Sequence, residues 1–106
     1  MVLLEVKEEL MALGNGEAFI RSKIFLINGK VARVSIVLLF EFNGKMECVL
    51  RYDCSHGFLH RDLCYKKPPV KERVDEILDG GFVEKVKKDL MKNWRKYLGF
   101  YGENHG

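Results

Sequence analysis

Two dipeptides organise the hydrophobic pattern of this chain. Asn28-Gly29 and Asn43-Gly44 are each flanked by runs of β-branched, aromatic and aliphatic residues. Asn-Gly is the preferred pair for a type I′ turn, whose twist matches that of a hairpin. The pattern predicts three consecutive antiparallel strands, Ala18–Ile27, Lys30–Phe42 and Lys45–Asp53. Val31 to Phe40 is apolar nearly throughout, with Arg33 and Ser35 as the exceptions, so the middle strand should be central. A turn around Cys54-Ser55-His56-Gly57 predicts a fourth strand, Phe58–Lys66. Pro68-Pro69 stops it, because proline lacks the ladder donor.

Helical periodicity brackets these strands. Leu3, Val6, Leu10 and Leu13 recur at spacings of three and four, which predicts a first helix over Met1–Leu13, ended by Gly14-Asn15-Gly16. Val70, Val74, Ile77 and Leu78 predict a second helix, broken by Asp79-Gly80-Gly81. Val83, Val86, Leu90, Trp94 and Tyr97 give the clearest stripe and predict a third helix over Phe82–Leu98. Gly99 should end it and leave Phe100–Gly106 as a tail. The expected fold is a single α+β domain: a four-stranded antiparallel β-meander with an N-terminal helix and two C-terminal helices packed on one face.

Two-residue turns fix the register, and the register fixes the faces. Counting outward from the turns sets Leu39 opposite Cys48, Val37 opposite Leu50, Ser35 opposite Tyr52 and Ile20 opposite Val37. That side is mostly apolar and should receive the helices. The other side would carry Arg21, Lys23, Arg51 and Asp53, with Phe19, Phe25, Phe40 and Phe42 beside them. Aromatic rings mixed with basic groups suit a covered surface, and a homodimer through this mixed aromatic face is one expectation.

Composition narrows the setting. The chain has 106 residues, 47% hydrophobic and 31% charged, which is the size and balance of one globular domain. Cys48, Cys54 and Cys64 make an odd count, which argues against a disulfide framework and for a reducing cytoplasm. Met1–Leu4 is apolar but no basic leader precedes it, so it does not read as a signal peptide. The longest apolar stretch, Val34–Phe40 broken by Ser35, is too short to span a bilayer. A net charge of +3 is a mild bias. The Lys- and Glu-rich composition, with no glutamine, points to a thermophilic source.

The candidate chemistry sits between Arg51 and Asp62. On strands, Arg51 and Asp53 share one face, and His60 and Asp62 share one face about 6.6 Å apart. If Leu59 and Leu63 enter the core, both pairs must lie on the mixed face. This set could carry general acid–base chemistry. His60 would move a proton, with His56 beside it, Asp62 or Asp53 would orient it, and Arg51 or Arg61 would hold an anion. Zinc is the competing use of Cys54, His56, His60 and Cys64. However, His60 and Cys64 would stand about 13 Å apart on a strand, too far for one ion. His60 with Asp62 and His56 is the easier set and stays open, but the leading expectation is no metal and no other cofactor. The plainest alternative is a charged strand near a sheet edge that discourages aggregation.

This segment also carries a resemblance. Arg51, Tyr52, Asp53, His56, Gly57 and His60 match an RYD-x-x-HG-x-x-H pattern, and Asp89, Leu90, Asn93, Trp94 and Tyr97 match a late D-L-x-x-N-W-x-x-Y helix. Together they resemble a family of small uncharacterised prokaryotic proteins, over about the second half of the chain, distantly similar to toxins of toxin–antitoxin pairs. That similarity favours a metal-independent ribonuclease over other chemistries without fixing a catalytic assignment.

The third helix adds a positive stripe of Lys85, Lys88, Lys92, Arg95 and Lys96. It is either a phosphate-contacting surface or a solvated face whose cations suit a helix C-terminus. The leading expectation is a nucleic-acid-associated module with RNA or a protein as partner and no membrane contact. The alternatives are a toxin-like ribonuclease and a homo-oligomeric or partner-binding structural module.

Overall fold

The computed structural model describes residues 1–54 and 57–106. Six strands, β1 (Leu4–Leu13), β2 (Ala18–Ile27), β3 (Lys30–Phe42), β4 (Lys45–Asp53), β5 (His60–Leu63) and β6 (Val70–Arg73), form one antiparallel sheet in sequential order. One helix, α1 (Gly80–His105), follows. The fold is α+β, but its element count corrects the expected one: six strands and a single C-terminal helix replace four strands and three helices.

Each correction has a physical cause. Met1–Leu13 is not a helix, because its residues also alternate. Leu4, Val6, Glu8 and Leu10 share one side of β1, and Glu5, Lys7 and Glu9 the other. A lone amphipathic helix of this length is marginal without a partner for its stripe, whereas pairing with β2 holds the segment along a ten-residue ladder. Gly14, Asn15 and Gly16 all have positive φ and turn the chain into β2 rather than capping a helix. Val70–Leu78 is not a helix either. Val70–Arg73 pairs with β5, and the remainder is irregular. The expected strand over Phe58–Lys66 shortens to His60–Leu63.

The three central strands keep their expected bounds, and both turns are two residues long, with Asn28 and Asn43 at φ 52°. The register does not survive outward from them. Ala32 and Val49 are each an extra residue, so Phe25 meets Arg33 and Leu38 meets Leu50. These bulges overturn the expected pairings of Ile20 and Leu50 with Val37 and of Ser35 with Tyr52. Without them, Arg33 and Ser35 would point into the core. With them, Val34, Ile36 and Leu38 enter it, at 2%, 0% and 0% exposure. Burying such side chains is worth roughly 1.5–3 kcal/mol each, which decides the register.

The core lies between α1 and one face of the sheet, the helix side. Leu90 and Trp94 are buried in it with Ile20, Ile36, Leu38, Leu50 and Tyr52. Asp79 caps α1 by accepting from the Phe82 backbone N–H at 2.8 Å. The helix runs through Gly99 because Tyr101 is buried against the Phe40 and Phe42 rings, at centroid distances of 5.1 and 5.2 Å. That packing outweighs the roughly 1 kcal/mol a helical glycine costs. Phe40 and Phe42 therefore face α1, and of the four rings expected on the mixed face Phe19 and Phe25 lie there. No helix among the described residues is long and apolar enough to cross a membrane.

Candidate functional site

The face of the sheet turned away from α1, the distal face, carries the candidate chemistry. Two adjacent ladder rows cross all six strands. One runs Leu10, Arg21, Val37, Arg51, Asp62, Lys71. The next runs Glu8, Lys23, Ser35, Asp53, His60, Arg73. At about 4.8 Å between strands, each row spans about 24 Å. Arg51, Asp53, His60 and Asp62 thus occupy a two-by-two block. The conditional expectation for these four is met: Leu59 and Leu63 are buried, and the four share one face. His56, the fifth candidate, lies outside the described residues.

Asp62 is the hub of the block. Arg51 Nε and Nη2 both donate to its Oδ2, at 3.0 and 2.6 Å. Lys71 Nζ stands 3.9 Å from Oδ1 and His60 Nε2 stands 3.7 Å from Oδ2. The carboxylate is buried while Arg51 stays 43% exposed, so the guanidinium spans from solvent to a desolvated anion. The bond to Asp62 raises the Arg51 pKa above its ordinary value. His60 is 1% exposed, and its Nδ1 lies 3.4 Å from the Phe58 carbonyl oxygen. Its ring is 5.7 Å from that of Phe58, over which Arg73 sits at 5.1 Å.

Sequence reading missed Lys71 and Arg73, because it placed them on a helix. It also missed a pair of thiols. The Cys48 and Cys64 sulfurs are 3.3 Å apart beside Arg51. The hydrogen bond from Cys48, helped by Arg51, lowers the Cys64 pKa to about 7, and the same bond, with burial, raises that of Cys48. Alternation through His60, Asp62 and Cys64 was the available signal; the bulge at Val49 hid its partner. Among the described residues, no group of three His, Cys, Asp or Glu side chains is placed to hold a metal ion.

The remaining distal cations are exposed. Lys23 pairs with Glu8 at 3.3 Å and Arg73 with Asp75 at 3.4 Å. Arg21 and Arg33 make no ion pair among the described residues. Lys23 and Arg33 both sit over the half-buried Phe25 ring, at 5.4 and 5.5 Å. Between Arg21/Lys23 and Arg51/Asp53 lie the shorter side chains of Val37 and Ser35.

The positive stripe of α1 is real but lies on the other side of the molecule. Lys85, Lys88, Lys92, Arg95 and Lys96 are all exposed. Lys85 pairs with Glu76, and Arg95 and Lys96 lie over Trp94 and Phe100. The helical motif residues have structural duties. Asn93 Nδ2 and Tyr97 Oη both donate to Asp89 at 2.7 Å, and Leu90 and Trp94 are core. Burial and the Asp89 bond raise the Tyr97 pKa.

Residues 5–106 match the family described as Domain of unknown function (DUF7718), and the chain belongs to that family. No curated protein and no solved structure matches the chain.

Proposed function

We propose that this DUF7718 protein binds single-stranded nucleic acid across its distal face. One observation carries the reading: the ladder rows bring Arg21, Lys23, Arg51, Lys71 and Arg73 to one surface around Asp53, His60 and Asp62. With Arg33 beside them, six cations against Glu8, Asp53, Asp62 and Asp75 leave that surface positive, as contact with a phosphate backbone requires. Phe25 and Phe58, already flanked by cations, suit base stacking. The stripe on α1 faces away and would serve as a second, weaker contact.

A labelled single-stranded RNA titrated in fluorescence anisotropy tests this. We expect binding that weakens with salt along a slope of about −0.7 per phosphate neutralised. Arg21→Ala/Arg33→Ala should weaken it by roughly tenfold. Absence of binding at low salt, or loss only on Lys88→Glu/Lys92→Glu, would overturn the reading.

A second reading, toxin-like metal-independent RNA cleavage, draws support from the convergence of Arg51, Asp53, His60 and Asp62. The burial of His60 weighs against it, since a general acid or base must reach the proton it moves. It requires RNA breakdown that persists in EDTA and disappears in His60→Ala.

A further inference from the structure

We propose that two copies of this chain pair antiparallel through the open edge of β1, about a two-fold axis at Val6, joining two six-stranded sheets into one. The surface is the sheet edge, separate from the distal face proposed above for nucleic acid.

β1 is a ten-residue edge strand whose residues from Leu4 to Leu10 are all exposed, on both sides of the sheet. Leu4, Val6 and Leu10 are 63%, 44% and 64% exposed. An edge of this length with this much apolar surface is a template for another strand. Its outward groups can be assigned. The Leu3 carbonyl accepts from the Asn28 N–H at 2.8 Å, and the Leu3 N–H donates to Asn28 Oδ1 at 2.9 Å, so Leu3 turns its backbone polar groups toward β2. Leu13 does likewise, accepting from Gly16 and Glu17. By alternation, Val2, Leu4, Val6, Glu8 and Leu10 direct theirs to the open edge.

Charges on a strand edge normally repel a second copy, and here they select a register. In a two-fold antiparallel pair, an axis at Glu5, Lys7, Glu8 or Glu9 sets that charge against itself. Between residues 5 and 9, only Val6 is uncharged, and an axis at Leu4 or Leu10 brings no opposite charges together. An axis at Val6 sets Glu5 of each copy against Lys7 of the other, twice, at a non-hydrogen-bonded pair where side chains are closest. It also sets Val2 against Leu10 and leaves no like charges opposed. Val6, with its outward N–H and C=O, forms the hydrogen-bonded pair on the axis.

Light scattering coupled to size exclusion tests this on the full chain, and wild type should run at twice the 12.3 kDa chain mass. Val6→Pro removes an outward donor without touching the β2 ladder and should give a folded monomer. Lys7→Glu should also give a monomer, and Glu5→Lys/Lys7→Glu should restore the dimer. If Val6→Pro fails to fold by circular dichroism, the charge series decides alone. A monomeric wild type, a dimer indifferent to Lys7→Glu, or a double swap that stays monomeric would each overturn the proposal.

Discussion

β1 and α1 begin as the same kind of sequence and end as opposite structures. Both repeat apolar residues at spacings of three and four, between charged positions. α1 became a helix because its stripe is broad and heavy. Phe82, Val83, Val86, Leu90, Trp94 and Tyr101 are all buried, and they cover the helix side of β2, β3 and β4. The stripe of β1 rests on four aliphatic residues, and its alternation serves a strand equally well. Only Leu13 at its far end is buried, with Met11 half-buried. The difference teaches that periodicity proposes an element, while the partner available to its apolar side decides it.

The sharpest way to break this contrast is to shorten one side chain in each. Trp94→Ala should destabilise the protein by about 3–5 kcal/mol in urea unfolding, since it empties a buried site. Leu10→Ala, on an exposed position of β1, should stay within about 0.5 kcal/mol in the free chain. Equal effects in the monomeric Lys7→Glu background would mean that the chain itself covers β1, which the contrast denies.

The two elements meet at Gly14. It sits at φ +52°, and a methyl group there would stand 2.6 Å from the Trp94 ring. Gly14→Ala should therefore cost about 1–3 kcal/mol by the same measurement. At Gly29, also at positive φ, nothing lies within 4 Å, so alanine there carries only the backbone penalty. A smaller tie is the Lys87–Glu9 ion pair at 3.6 Å, with Lys87 at 18% exposure and Glu9 at 53%. Lys87→Ala should lose about 0.2–1 kcal/mol, diminishing with added salt.

The last comparison is chemical and should leave stability unchanged. Cys64, with its pKa lowered to about 7, should alkylate ahead of Cys48, whose pKa is raised. The lowered value means that thiolate accumulates as pH rises through 7, so the Cys64 labelling rate should climb between about pH 6 and 8. Cys48→Ala should shift that rise to higher pH, because the Cys48 thiol donates the hydrogen bond that holds the Cys64 thiolate. Mass spectrometry after timed iodoacetamide labelling reads both outcomes.

Much of the candidate site was legible beforehand, through an accident of geometry. Arg21, Lys23, Arg51 and Asp53 were placed on one face by a ladder that proved wrong in the middle. The two bulges, at Ala32 and Val49, both shift β3, so the face of β3 reversed while β2 and β4 kept theirs relative to each other. Val37 and Ser35 therefore replaced Ile36 and Val34 between the charged pairs. Lys71 and Arg73 were out of reach, because a strand of four residues leaves too little alternation to outweigh the apolar spacing of Val70, Val74 and Ile77.

The chain by itself determined the two Asn-Gly turns, the extents of β2, β3 and β4, and the helical identity of the C-terminal segment. These follow from local rules: φ > 0 at defined positions, proline's missing donor and an apolar stripe too wide for a strand. Only tertiary structure decided β1, the bulges and the burial of His60 and Asp62. Those depend on which surface removes more apolar area from water and which backbone groups find partners. Residues distant in sequence settle both, so no local window contains the answer.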